Sequence, residues 1–214
     1  MIFRDRQQAG KLLADKLAER PWKNAIVIGL ARGGVMVAAQ ISHKLSFPLD
    51  VLVVKKSPSP PNPELALGAL APEGVFVVDW RLTQRLGADE DYIKRQIARL
   101  GEEIKQKTLV YRRGKKPLAV KGQTVILVDD GVATGATAQA AIKWCKKKGA
   151  AQIGLALPVI SPEAVARLRS EVTELVALDT PFDLGAVGQF YKHFEQVTDD
   201  EVIELLRDGK TVRQ

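Results

Sequence analysis

The sequence has few of the residues that mark secreted, membrane or redox proteins. It contains one cysteine, Cys145, so no disulfide can form within the chain. This cysteine lies in AIKWCKKKG, a pattern typical of an amphipathic helix, and we interpret it as a packing residue. No apolar run approaches the roughly 20 residues of a membrane helix, and the charged opening segment lacks the apolar core of a signal peptide. The sequence therefore predicts a cytoplasmic protein that does not contact a membrane.

Aromatic residues are also scarce, at 6% of the chain, whereas positive charge is in excess. The formal net charge of +7 indicates an anionic partner, which is either a small polyanion or a nucleic acid. The shortage of aromatic residues argues against nucleic-acid binding by base stacking, and no DNA-binding helix pair or RNA-binding signature is recognisable. We therefore favour a small molecule and keep nucleic acid as the alternative.

Short apolar segments alternate with helical patterns along most of the 214 residues. The apolar runs occur at 25–28, 51–54, 124–128, 153–157 and 175–178. Helical patterns occur at 6–19, 35–45, 137–148 and 161–170. This alternation is typical of an α/β fold with an open, mainly parallel sheet and helices on both faces. The length favours one domain over residues 1–214.

The alternation is interrupted between about residues 57 and 118. The run SPSPPNP at 57–63 predicts an irregular loop, because proline fits neither a regular helix nor a central strand. After it we expect a hairpin formed by 65–70 and 75–78, and then a charged helix from about 89 to 107. We interpret the interruption as an insertion beside the sheet rather than as a second domain.

The segment after the apolar run at 124–128 carries the most specific chemical signal. It reads DDGVATGAT, with two adjacent acids followed by a small-residue loop that opens a helix. Backbone N–H groups and threonine hydroxyls could surround a phosphate there, and the acids could accept hydrogen bonds from sugar hydroxyls. The alternative is that Asp130 caps a turn and Thr134 or Thr137 caps the helix. P-loop and dinucleotide fingerprints do not fit, because no Gly-Lys-Ser/Thr follows the glycines and no Gly-x-Gly-x-x-Gly follows a strand.

This segment resembles the type I phosphoribosyltransferase family, whose motif for 5-phosphoribosyl 1-pyrophosphate (PRPP) is matched over residues 125–137. The resemblance covers most of the chain. It implies that Asp129 and Asp130 contact the ribose 2- and 3-hydroxyls and help to hold Mg²⁺, through water or PRPP. It also implies that the following loop binds the 5-phosphate, through Ala133, Thr134, Gly135, Ala136 and Thr137.

The same resemblance implies a pyrophosphate loop after the first apolar run, formed by Ala31, Arg32, Gly33 and Gly34. The backbone of Arg32-Gly33 would approach the pyrophosphate, often through a non-proline cis peptide. Lys55 and Lys56 follow the second run, and alternation along an extended chain directs their side chains to opposite sides. We favour Lys55 as the lysine that offsets the pyrophosphate charge.

Two further regions of the family are expected to vary. Residues 58–68 resemble a flexible lid, and Glu64 on this lid is the candidate general acid or base. A hood that recognises the nucleobase is expected at about 179–194, where Phe182 could stack on a base and Asp179 or Asp183 could form hydrogen bonds with it. Hypoxanthine-guanine members carry an acid where this sequence has Ala133, so the acceptor is left open. The combination of NPELALGA at 62–69 and VGQFY at 187–191 resembles a poorly characterised subgroup of predicted phosphoribosyltransferases.

The resemblance implies an enzyme of nucleotide and nucleoside metabolism that uses PRPP and Mg²⁺ and releases pyrophosphate. Its catalytic residues would be Asp129, Asp130 and Arg32, together with Glu64, and its acceptor a nucleobase-like nitrogen compound. One alternative is a PRPP-binding regulator that contacts nucleic acid or protein, and another is a protein for a different phosphorylated sugar. Homodimers are common among similar proteins, so a homodimer is a further expectation.

Overall fold

The computed structural model describes residues 1–60, 62 and 65–208. Its strands are β1 (Ala25–Leu30), β2 (Leu49–Leu52), β3 (Lys55–Pro58), β4 (Ala66–Ala71), β5 (Val75–Val78), β6 (Thr124–Val128), β7 (Gln152–Val159) and β8 (Glu174–Asp179). Its α-helices are α1 (Arg6–Ala18), α2 (Gly33–Leu45), α3 (Trp80–Arg85), α4 (Glu90–Arg112), α5 (Ala136–Lys147), α6 (Pro162–Leu168) and α7 (Asp199–Asp208). Short 3₁₀ turns occupy Arg169–Glu171 and Val187–Phe190.

The centre of the fold is a parallel sheet with the strand order β2-β1-β6-β7-β8. Helices α1 and α2 cover one face, where Leu13, Leu17 and Ile41 pack against the sheet. Helices α5 and α6 cover the opposite face, together with the small sheet formed by β3, β4 and β5. Because both faces are covered, the central strands are apolar along most of their length. The predicted parallel sheet with helices on both faces is confirmed.

The predicted insertion contains the hairpin that the sequence indicated. Strands β4 and β5 pair antiparallel, with Gly68 opposite Val78. The prediction of an irregular loop from residue 57 onwards is wrong for Ser57 and Pro58, which belong to β3. Strand β3 lies at the edge of its sheet and its register shifts between these two residues, a place where proline is tolerated. Helix α4 continues to Arg112, beyond the predicted end, and α3 was not predicted.

Helix α7 is a second element that the sequence patterns did not predict. A capping box precedes it, in which the Thr198 N–H donates to Glu201 Oε2 at 2.7 Å and the Glu201 N–H donates to Thr198 Oγ1 at 3.2 Å. Val202 and Ile203 are buried in a cluster that also contains Tyr111 of α4. This helix therefore closes the edge of the fold beside β2 and α4.

Cys145 is fully buried within α5, and burial raises the pKa of its thiol to about 12. Its interpretation as a packing residue agrees with this environment. Of the helices in the described part of the chain, none combines the length and the apolar character that a membrane span requires.

Candidate functional site

The loops that follow β1 and β6 lie side by side at the carboxyl edge of the central sheet. Strands β1 and β6 are parallel neighbours, and Gly29 is in register with Val128. Residues 31–34 and residues 129–130 therefore leave adjacent strand ends in the same direction. Ligands of open parallel sheets bind at this edge. The structure thus brings together the loop that the sequence singled out by its own residues and the loop that the family resemblance implied.

Glycines allow these loops to touch. A Cβ added to Gly33 would overlap Asp130 Oδ2, and a Cβ added to Gly34 would lie 2.6 Å from the Val128 carbonyl oxygen. At Gly33 a side chain would require the Asp130 side chain to move, whereas at Gly34 it would require the β6 backbone itself to move. Gly34 is therefore a requirement of the close approach between the two loops.

The two adjacent acids have different surroundings. Asp129 Oδ1 accepts a hydrogen bond from the Asp130 N–H at 2.9 Å. Burial, and then the charge of Asp130, raise the pKa of Asp129 well above its usual value. Asp130 Oδ2 instead accepts a hydrogen bond from Arg6 Nε at 2.7 Å, in an ion pair whose side chains are only 16% and 11% exposed. Burial and the charge of Asp130 thus destabilise the ionised form of Asp129, whereas Asp130 is paired with the cation of Arg6.

The loop after the acids is fixed by β7 and α6. Val132 pairs with Ile160, and Ser161 Oγ donates a hydrogen bond to the Ala133 carbonyl oxygen at 2.6 Å. Arg167 donates to the Thr134 carbonyl oxygen at 3.0 Å. These bonds give both loop carbonyl oxygens a donor and tie the loop to the segment that follows β7 and to α6.

Helix α5 begins at Ala136, directly after Gly135, whose φ of 85° lies in the left-handed region. The N–H groups of a first helical turn have no acceptor within the helix. Gly135 has no side chain that could accept from them, and the positive end of the helix dipole points the same way. This end of α5 has the features of an anion site, as the sequence predicted for 133–137.

A cis peptide joins Ala31 to Arg32 in the predicted pyrophosphate loop. The Arg32 side chain points towards α7, with its Nη1 atom 3.8 Å from Asp199 Oδ1. Asp199 also accepts hydrogen bonds from Lys107 and from the Tyr111 hydroxyl, and these bonds lower the pKa of Asp199. The backbone of Arg32 thus lies in the loop, while its guanidinium group shares an acid with α4.

The two lysines of β3 have different partners. Lys55 Nζ lies 3.2 Å from Glu103 Oε2 on α4. Lys56 is the lysine whose positive charge opposes the upward shift in the pKa of Asp129. The alternation along the strand was correctly expected to separate them. The charge of Lys56 acts on Asp129 whereas Lys55 pairs with Glu103, so Lys56 is the better candidate for the lysine beside the acids.

The candidate hood residues lie at the end of β8 and in the segment that follows it. Phe182 is 97% exposed, Asp183 is exposed, and Asp179 is partly buried and pairs with the amino group of Met1. Further along, the hydroxyl of buried Tyr191 donates to the Asp130 carbonyl oxygen at 2.6 Å. The residues around Tyr191 therefore contact the acidic loop directly. The candidate acid or base Glu64 lies outside the described residues.

Arg6 is the residue of this site that the sequence patterns did not reveal. It lies 124 positions from Asp130, and nothing in the local pattern connects the two. The available signal was Asp5, whose side chain accepts from the Gln8 N–H at 2.7 Å and caps α1. That signal fixes where α1 begins, but not what the first residue of the helix contacts.

Carboxylates suitable for Mg²⁺ are present, although they do not form a complete metal site. Among residues 1–60, 62 and 65–208, no group of three or more His, Cys, Asp or Glu side chains is arranged to hold a metal ion. Asp129 and Asp130 are adjacent at the loop. Two carboxylates fit the way in which Mg²⁺ binds when substrate phosphates and water complete its shell.

Comparison with known proteins connects this geometry to a family. A family model described as "Phosphoribosyl transferase domain" matches residues 4–189. The chain belongs to this family. The matched range contains both loops of this phosphoribosyl transferase domain, as well as Arg6 and Lys56.

Two Mycobacterium tuberculosis proteins, from strains CDC 1551 / Oshkosh and H37Rv, carry the name "Putative phosphoribosyl transferase". Each is 41% identical to this phosphoribosyl transferase domain over 208 residues, which cover 96% of this chain and 46% of the relative. The chain therefore spans about half the length of these relatives. The crystal structure of TT1426 from Thermus thermophilus is also similar, with 42% sequence identity and a TM-score of 0.81. That match covers 99% of this chain and 100% of TT1426.

Proposed function

We propose that this domain transfers the phosphoribosyl group of PRPP to a nitrogen atom of a nucleobase-like acceptor, with Mg²⁺ and with release of pyrophosphate. One observation carries the proposal: the two glycine-dependent loops meet at the carboxyl edge of the sheet, beside Asp129 and Asp130. PRPP carries a diol between two phosphate groups. Such a donor would fit this site, with the diol at the two acids and one phosphate group at each loop. Family membership supports the same reaction class.

The β6 loop would bind the ribose 5-phosphate half of the donor. Asp129 and Asp130 accept hydrogen bonds from the 2- and 3-hydroxyls. The 5-phosphate lies at the start of α5, where it receives hydrogen bonds from backbone N–H groups of 133–137 and from the hydroxyls of Thr134 and Thr137. In this assignment the diol and the phosphate are recognised by consecutive residues of one loop.

The β1 loop would bind the pyrophosphate half. Its backbone, from Ala31 to Gly34, lies at the start of α2, and the charge of Lys56 offsets that of the leaving group. Arg32 would contribute its charge as well if its guanidinium group left Asp199. The C1–O bond to pyrophosphate breaks as the C1–N bond to the acceptor forms, and the nearby carboxylates favour the positive charge that develops on the sugar. Mg²⁺ held by PRPP and the two carboxylates would supply further stabilisation of the pyrophosphate charge.

The acceptor side of the site is assigned from the sequence and from exposure. Phe182 projects almost entirely into solvent, as an aromatic surface that could stack on a base. Asp179 and Asp183 flank it, and Glu64 is kept as the candidate general acid or base. The single-domain organisation, the cytoplasmic location and the homodimer stay predictions.

The reaction can be tested by pyrophosphate release. The protein is incubated with PRPP, Mg²⁺ and one nucleobase at a time, and pyrophosphate is measured. We expect release that depends on one acceptor class and is lost in the Asp129→Asn/Asp130→Asn variant. PRPP binding without release for any nucleobase would instead favour a PRPP-binding regulator.

The role of Lys56 gives a separate prediction. Lys56→Met is expected to weaken PRPP binding by about five- to tenfold, because one unit charge near a polyanion at the protein surface contributes roughly 1 kcal/mol. Lys55→Met is the matched control and is expected to change the affinity by less than about twofold, since Lys55 pairs with Glu103. Isothermal titration calorimetry with PRPP measures both, and a larger loss in Lys55→Met would contradict the assignment.

A further inference from the structure

We propose that Arg6 is a positioning residue, which holds the Asp130 carboxylate in the orientation that binds the ribose diol. This inference rests on the proposed function, because it requires Asp130 to receive a ribose hydroxyl. It extends that function to the first turn of α1, which lies far from the PRPP motif in the sequence.

The contact between Arg6 and Asp130 is short and largely shielded from water. Arg6 Nε donates to Asp130 Oδ2 at 2.7 Å, and both side chains are more than four-fifths buried. Ion pairs in such settings are screened by solvent much less than surface pairs. The contact uses a single carboxylate oxygen, so Oδ1 can still accept a hydrogen bond from a sugar hydroxyl.

Arg6 is itself fixed by two other contacts. Its Nη1 atom donates to the Glu195 carbonyl oxygen at 2.9 Å, and its guanidinium carbon lies 3.7 Å from the centre of the Phe194 ring. The Phe194 ring stacks on Tyr191, whose hydroxyl holds the Asp130 carbonyl oxygen. Asp130 is therefore restrained through its side chain by Arg6 and through its backbone by Tyr191.

These contacts depend on the shape of the arginine side chain. A planar guanidinium group can donate to Asp130 and Glu195 in fixed directions while its face rests on Phe194. A lysine has one flexible ammonium group and cannot reproduce all three contacts. The geometry thus provides orientation in addition to a neutralising charge.

The alternative is that the ion pair only attaches α1 to the sheet. Other contacts already do this: Leu13 and Leu17 are fully buried, and Phe3 exchanges backbone hydrogen bonds with Phe190 and Lys192. Removing the Arg6 side chain should therefore preserve the attachment of α1. What the removal changes is the freedom of the Asp130 carboxylate.

The test compares ribose 5-phosphate with its 2-deoxy and 3-deoxy analogues by calorimetry. The wild-type protein is expected to prefer ribose 5-phosphate by about tenfold or more over an analogue that lacks a hydroxyl bound by a carboxylate. In Arg6→Gln, ribose 5-phosphate and at least one deoxy analogue should bind with about equal affinity. The affinity for that analogue should differ from its wild-type value by less than about twofold. A purely structural role would weaken all three ligands equally.

Two variants complete the experiment. Arg4→Gln removes an exposed arginine that pairs with Asp5, and it should keep the wild-type preference. Arg6→Lys should retain part of the preference, and it replaces Arg6→Gln if thermal unfolding shows that the glutamine variant is unfolded.

Wild-type discrimination that persists in the Arg6 variants would overturn the inference and leave the proposed function intact. If the wild-type protein binds neither ribose 5-phosphate nor PRPP, the proposed function fails and the inference fails with it.

Discussion

Gly34→Ala is expected to destabilise the fold and remove PRPP binding in one step. The new Cβ would lie 2.6 Å from the Val128 carbonyl oxygen and 2.8 Å from Asp129 Cα, distances that a Cβ atom does not tolerate. Both are backbone atoms at the end of a central strand, so no side-chain rotation can relieve the overlap. Helix α2 must move away from β6, which separates the pyrophosphate loop from the acids.

We expect Gly34→Ala to lower the free energy of unfolding by about 1–3 kcal/mol, the usual range for overpacking of a filled site. PRPP affinity should fall by about 100-fold or more, because a displacement of about 1 Å is enough to disrupt a positioned site. Denaturant unfolding and calorimetry measure the two effects.

The matched control is Gly101→Ala in α4. An added methyl group at Gly101 meets open space, and alanine is favoured over glycine in a helix by about 1 kcal/mol. This variant should be slightly more stable than the wild type and should bind PRPP normally. Equal stability of the Gly34 and Gly101 variants would contradict the close approach of the two loops.

Asp129→Asn is expected to change stability and binding in opposite directions. Burial and the neighbouring Asp130 raise the pKa of Asp129 above its usual 3.8, so the folded protein binds this proton more tightly than the unfolded chain does. The stability that the proton contributes is present at pH values below 3.8. It is lost as the pH rises through the raised pKa of the folded state. Above that pKa, the ionised side chain destabilises the folded protein without its ligand.

An asparagine removes this ionisation, so Asp129→Asn should increase the free energy of unfolding at neutral pH. The gain should shrink as the pH falls towards 3.8. PRPP affinity should fall by about 10- to 100-fold, because a hydrogen bond from the ribose to a charged acceptor is lost. Denaturant unfolding between about pH 4 and pH 8 in EDTA, followed by calorimetry, checks both effects.

Asp50→Asn provides the contrasting control. Asp50 is a buried acid that, unlike Asp129, pairs with a cation, because it lies 2.9 Å from Arg112. Its replacement should reduce stability by about 3 kcal/mol, since a buried cation loses its partner. If Asp129→Asn is destabilised like Asp50→Asn, Asp129 is a structural acid and its assignment to the ligand site is wrong.

The sequence was sufficient for the central sheet and for locating the two loops that the structure places side by side. Apolar runs alternating with helical patterns identify strands buried on two faces, and that pattern requires only local information. The acids, threonines and glycine of 129–137 lie within nine residues of one another. They are therefore close in space whatever the tertiary structure. Gly33 and Gly34 could be singled out through the family resemblance, because they lie in the short loop between an apolar run and a helical pattern.

Contacts between distant segments could not be predicted in the same way. The pairing of Arg6 with Asp130 depends on how α1 crosses the sheet, and the choice between Lys55 and Lys56 depends on where α4 places Glu103. Both are set by packing rather than by local pattern. Helix α7 is different, because the capping residues Thr198 and Glu201 precede an apolar pair and were a readable signal.

The most direct test of the central claim is calorimetric binding of PRPP with and without Mg²⁺, on the wild-type protein and on Asp129→Asn/Asp130→Asn. The account predicts binding by the wild type that is strengthened by Mg²⁺ and lost in the double variant. A wild-type protein that does not bind PRPP under either condition would contradict the claim that these two loops form a PRPP site.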